Sequence, residues 1–162
     1  MKLFKLIFLS TFLFSAIACQ AGQPSQKAQA INVSYNAELA KELGADDYGM
    51  KSYVMVVLNT GPEDSKITDK ERRAKLFKGH FDNMGRLAEQ GKLVLAGPLA
   101  GNKPKRGLFI FNVKTIEEAE ELVKTDPTVM AGIFTYELTR YYGSAALMKV
   151  NAIHKTLQKQ KI

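Results

Sequence analysis

Two histidines, His80 and His154, and a single cysteine, Cys19, are the side chains of this chain best suited to proton transfer, metal ligation or thiol chemistry. Histidine changes charge closest to neutral pH and so has the widest scope as proton donor and acceptor. At about 100° per residue, His80 falls within the apolar arc of Phe77, Phe81, Met84, Leu87 and Ala88, which aims it toward the body of the domain. A histidine so placed can equally be a core residue that holds a backbone carbonyl. Asp126-Pro127 reads first as a helix start, the carboxylate accepting orphan amides at the N-cap and the proline taking the first helical position. No metal is expected, because with no cysteine beyond Cys19 the two histidines cannot complete a zinc site of three or four ligands. The Gly101 to Gly107 loop lacks the Gly-Lys-Ser/Thr ending of a phosphate loop and reads as a hairpin turn with a basic tip.

These residues need elements to hold them, and the hydrophobic pattern supplies a regular series. Asn36 to Leu43 is a short helical segment, followed by a loop from Gly44 to Gly49. Tyr53 to Leu58 is an unbroken apolar, β-branched run bounded by Asn59-Thr60-Gly61-Pro62, which is a strand signature. Thr68 and Glu71 suggest a capping box opening a helix that runs to about Gln90, where Gly91 stops it. Leu93 to Ala96 is a second strand halted by Gly97-Pro98, and Leu108 to Val113 a third, the two forming a hairpin. Thr115 and Glu118 open another helix, to about Lys124. Asp126-Pro127 begins one more helical turn ending at Gly132, and Ile133 to Thr139 is the fourth strand. Ala145 to Leu157 reads as an amphipathic helix with Leu147, Val150, His154 and Leu157 on one side.

The order is βαββαβ, so the fold class is α+β: a ferredoxin-like, four-stranded antiparallel sheet with two helices on one side, plus a C-terminal helix. The first and third strands are apolar on both sides, and a sheet of that kind needs cover on both faces. Too little chain remains to provide it. The expected partner is therefore a second copy, giving a homodimer packed sheet to sheet.

His80, Gly91, Leu93, Ala96-Gly97-Pro98, Asp126-Pro127 and Ala131-Gly132 resemble the pattern of the YCII-related family, in which a histidine is followed eleven residues on by glycine and six further on by Gly-Pro. The resemblance spans 51–140. It implies the dimeric α+β barrel and a His-Asp dyad at His80 and Asp126 in a cleft beside the sheet. In such a dyad the carboxylate fixes the imidazole tautomer and raises the basicity of the other ring nitrogen, which can move a proton on a small cyclic or phenolic molecule. It needs no cofactor. Tyr53, Gly97 and Pro98 are candidate substrate-binding residues lining the cleft. The segments 32–50 and 141–162 fall outside the resemblance as N-terminal and C-terminal extensions.

The first residues give an address. Lys2 and Lys5 precede an apolar run from Leu6 to Ile17 that ends in Ala16-Ile17-Ala18, the layout of a secretory signal over 1–18. The run of about a dozen residues falls short of the roughly 20 that a membrane-spanning helix needs. Cys19, placed where it ends, is similar to the acceptor of a bacterial lipoprotein signal, although Ala16 stands where leucine is usual. Ordinary cleavage after Ala18 is the other reading. Gln20 after the cysteine points to the outer membrane, and 19–31, rich in Gln, Ala and Ser, reads as a flexible tether.

Removing Lys2 and Lys5 from the formal charge of +7 leaves a mature protein that is still basic. The basic residues are scattered rather than massed with aromatics, so nucleic acid is not an expected partner. Three functions stay open at this point: a cofactor-free lyase or isomerase using His80 and Asp126, a non-catalytic binder of small ligands, and a dimeric envelope interaction protein.

Overall fold

A computed structural model describes residues 34–101 and 103–160. The expected signal, Cys19 and the tether lie outside the described residues. Four strands form one sheet: β1 (Met50–Thr60), β2 (Leu93–Pro98), β3 (Lys105–Phe111) and β4 (Phe134–Ser144). Their order is β2-β3-β1-β4 and each neighbouring pair is antiparallel. Helix α2 (Lys70–Glu89) links β1 to β2, while α3 (Ile116–Val123) and the single turn α4 (Pro127–Met130) link β3 to β4. That connectivity is the split βαβ of a ferredoxin-like α+β fold. Helix α1 (Ala37–Leu43) precedes the sheet and α5 (Val150–Leu157) follows it.

Local chemistry sets the element ends. Asp69, not Thr68, caps α2, its carboxylate accepting the Arg72 N–H at 2.7 Å. Asp is among the strongest caps, and it sits one residue closer to the first turn. At the other end Gly91 takes φ +66°, and the Lys92 and Gly91 amides donate to Leu87 and Ala88, closing the helix with a Schellman turn. Thr115 caps α3, but Glu118 reaches back to the Lys114 amide instead of completing a reciprocal box with Thr115.

Strand β2 continues through Gly97 and Pro98, which pair with Leu108 and Gly107, where a stop after Ala96 was expected. β2 is an edge strand, so a proline without N–H costs no ladder bond on its outer side. β4 runs on to Ser144 because Arg140 to Ser144 pair with Val54 to Met50.

Side chains alternate across β1 and divide the core in two. Val54, Val56 and Leu58 join Phe109 and Phe111 beneath Leu87, Ala119 and Val123 of the helices. Phe111 is fully buried there, and truncating it to alanine should cost about 3–5 kcal/mol. The other face carries Tyr53, Val94 and Ile110, with Leu147 and Met148 packed against them. Those two come from a 3-10 turn, Ala145–Lys149, so the expected single helix over 145–157 is α-helical only from Val150. Leu157 is 74% exposed and His154 is exposed too. Cover of the second face is therefore partial: Met55, Val57, Leu95 and Leu108 remain only half-buried. None of the described helices is long and apolar enough to cross a membrane.

Candidate functional site

His80 lies in the middle of α2 and turns its ring inward, leaving 8% of the residue exposed. Asp126 caps α4 and is 1% exposed. The packing of α2 on α4 brings them together across 46 residues of sequence, with His80 Nδ1 2.6 Å from Asp126 Oδ2. The other carboxylate oxygen, Oδ1, accepts both the backbone N–H of Thr128, at 2.9 Å, and its hydroxyl, at 2.6 Å. Asp126 is thus a cap and a partner of His80 at once, one oxygen for each duty.

Burial pushes the Asp126 carboxyl up, but the hydrogen bonds from His80 and Thr128 outweigh it and hold the group below the usual carboxylate value. The carboxylate is therefore ionised at neutral pH and accepts. Nδ1 must then carry the donated proton, which in the neutral form of the ring leaves the lone pair on Nε2. Nε2 makes no hydrogen bond among the described residues, and the side chain keeps 10% of its surface exposed.

Aromatic rings surround the imidazole. Phe109 of β3 stacks on it at 6.0 Å, while Phe77, Phe134 and Phe81 present edges or faces at 6.2, 5.8 and 5.3 Å. Phe81, expected on the buried arc, is 45% exposed and forms a rim. Behind this wall, Asp64 binds Arg73 at 2.6 Å and Arg106 at 3.2 Å. The two guanidiniums lie over Phe77 and Phe134, so they brace the rings that touch His80. The hydrogen bond from Arg73, aided by Arg106, holds the Asp64 carboxyl low.

Close approach of α2 and α4 depends on a missing side chain. A β-carbon built on Gly79 would meet Pro127 Cγ at 2.9 Å. Gly79 adjoins His80 and Pro127 adjoins Asp126, so this contact limits how near the pair can come.

The remaining sequence-predicted residues fall elsewhere. Tyr53 is a correction: it points to the sheet face opposite His80, where its hydroxyl donates to the Ser144 carbonyl at 3.1 Å. Strand alternation requires this, since the adjacent Val54 faces the helices. Gly97 and Pro98 follow Ala96, which pairs with Phe109, but neither shares a hydrogen bond with His80. Cys19 lies outside the described residues. Among the described residues, no three His, Cys, Asp or Glu side chains cluster closely enough to hold a metal. Thr128, Gly79, Asp64 and the phenylalanine enclosure had no place in the sequence-based site.

The model of the YCII-related domain matches residues 53–141, a stretch that contains both His80 and Asp126. The chain belongs to the YCII-related domain family. Among solved structures, this YCII-related chain is similar to 5-chloro-2-hydroxyhydroquinone dehydrochlorinase from Burkholderia phenoliruptrix AC1100, in complex with 2,5-dihydroxybenzoquinone. Identity is 17%, the TM-score is 0.41, and the match covers 54% of this chain and 92% of that one. No curated protein matches the chain.

Proposed function

We propose that this YCII-related protein is a cofactor-independent enzyme that moves a proton on a small cyclic or phenolic molecule, as a lyase or isomerase. His80 is its general acid and base, and Asp126 orients it. The observation that carries this reading is the asymmetry of the imidazole: Nδ1 is held by a buried carboxylate at 2.6 Å, while Nε2 has no partner among the described residues on a side chain that keeps 10% of its surface exposed. A purely structural histidine would be expected to spend both nitrogens on the protein.

The chemistry follows from that asymmetry. Nε2 accepts a proton from an acidic C–H or O–H of the substrate, and Asp126 stabilises the imidazolium that forms. The same proton then returns to another substrate atom in an isomerisation, or to the departing group in an elimination. Positioned acid-base catalysis of this kind is worth about 10²–10⁴-fold in rate. Phe81, 45% exposed beside the imidazole, gives a flat ring a surface to pack against.

The same proposal has the protein exported, held on the periplasmic side of the outer membrane by lipid on Cys19, and working as a homodimer whose second copy covers the half-buried sheet face. What supports the address is the signal pattern in residues 1–18 and the placement of Cys19 as the only cysteine.

A screen of phenolic and lactone metabolites against wild type and His80→Ala, reading both binding and turnover, tests the function. Turnover of at least one compound that vanishes in the variant is expected. Equal turnover in His80→Ala would end the proposal, and binding without turnover in either protein would make the site a receptor.

A further inference from the structure

Lys51, Lys92 and Lys114 lie far apart in sequence, on the start of β1, the turn before β2 and the turn after β3. All three line one open cavity of about 560 Å³, together with Ser52 and Asn112. A second cavity of about 270 Å³ shares Ser52 and Lys114 and adds Arg140. The two adjoin at Ser52 and Lys114, forming a groove at the end of the sheet where β1 begins. His80 stands toward the other end, against the partners of Val56 and Thr60.

The charges in this groove are unbalanced. Glu118 is the one carboxylate among the lining residues, and its Oε2 is engaged by the Lys114 backbone amide at 2.9 Å. Lys51 gives one donor to the Leu43 carbonyl at 3.3 Å. Among the described residues, Lys92, Lys114 and Arg140 make no side-chain hydrogen bond or ion pair. Other described cations that face a carboxylate are ion-paired, among them Arg73 and Arg106 with Asp64 and Lys124 with Glu120, while solvated lysines such as Lys70 and Lys75 are not, so what sets the groove apart is that its cations share one concavity. Like charges in excess over their counter-ions around a concavity repel one another and focus a positive potential into it.

We propose that this groove binds a multiply charged oxyanion of the phosphate-ester class, at a site separate from His80. Three ammonium groups against one engaged carboxylate exceed what a single ligand carboxylate would neutralise, so the ligand must bring more than one negative charge. Compact, hydrated lysine ammoniums suit phosphate as a point charge. The volume lies within the roughly 300–1,000 Å³ of small-ligand pockets. The phosphate can belong to a soluble metabolite or to a phospholipid headgroup.

The test uses the full-length chain, inorganic pyrophosphate as the soluble probe and phosphatidylcholine vesicles with or without phosphatidylglycerol as the membrane probe. Calorimetry should give saturable pyrophosphate binding that weakens with added salt. The double variant Lys92→Gln/Lys114→Gln should weaken it by about tenfold or more, whereas His80→Ala should bind like wild type. Both lysines are exposed, and an unchanged thermal melt verifies that the double variant is folded. Pyrophosphate binding without preference for the anionic vesicles identifies a soluble ligand. Preference for phosphatidylglycerol that the double variant loses identifies a headgroup. Absence of both responses, or equal responses in the double variant, overturns the site.

Discussion

Gly79 and Pro127 touch where α2 crosses α4, and a β-carbon on Gly79 would stand 2.9 Å from Pro127 Cγ. Two effects of Gly79→Ala therefore oppose each other. Alanine favours the helix by about 0.5–1 kcal/mol over glycine, but the added methyl forces α4 outward and takes Asp126 with it. The variant should fold and melt close to wild type, yet lose about tenfold or more of any His80-dependent turnover. An unchanged His80 ring spectrum by NMR would mean that α4 has not moved and would defeat the prediction.

Asp126→Asn separates the two duties of that residue. The amide oxygen can still accept from Thr128, but the amide nitrogen would face Nδ1, which must then accept and send the ring proton to Nε2. Loss of turnover on the order of 10²–10⁴-fold is expected. Stability should fall by about 1–3 kcal/mol in urea titrations, since a charge-assisted buried bond is replaced by a neutral one. Ring ¹⁵N shifts report the tautomer directly, and retention of the wild-type pattern would contradict this account.

Acid should destabilise the fold through Asp126 and Asp64. Both carboxyls are held below their usual 3.8 when folded, so near and below that pH the unfolded chain binds more protons than the folded one. Their contribution is complete above the unfolded value and is lost as pH falls through the lower folded values. Urea midpoints measured from neutrality downward should hold until about pH 4 and then decline. Asp64→Asn should make that decline shallower, and a wild-type slope in the variant would exclude Asp64 as a contributor.

The dimer proposal is checked by sedimentation. Val57 and Leu108 pair across β1 and β3 on the incompletely covered face. Wild type should sediment as a dimer at micromolar concentration, and Leu108→Glu should sediment as a folded monomer, because a buried unpaired carboxylate opposes the contact. A monomeric wild type would refute it.

The strands were legible because β-branched runs such as Val54 to Val57 end at glycine and proline, and Asp126-Pro127 declared a helix start through its own chemistry. Tyr53 was misplaced for a physical reason: when both faces of a strand are apolar, alternation no longer says which side is which. The meeting of His80 with Asp126 came from the family resemblance, since spacing alone cannot tell how two helices cross. Gly79, Thr128 and the bracing of Phe77 and Phe134 by Arg73 and Arg106 depend on the same crossing and left no local pattern. The basic groove was equally hidden, its lysines arriving from one strand and two turns far apart in sequence.

The stacking of Phe109 beneath His80, with the rings 29° from parallel, has a steric consequence. The lone pair of Nε2 lies in the imidazole plane, and the phenyl ring closes one side of that plane. Under the proposed chemistry, a substrate atom must reach Nε2 along the ring plane, from the sides that the phenyl ring leaves open. A hydrocarbon ring that takes no part in the proton transfer thus sets the direction from which it can occur.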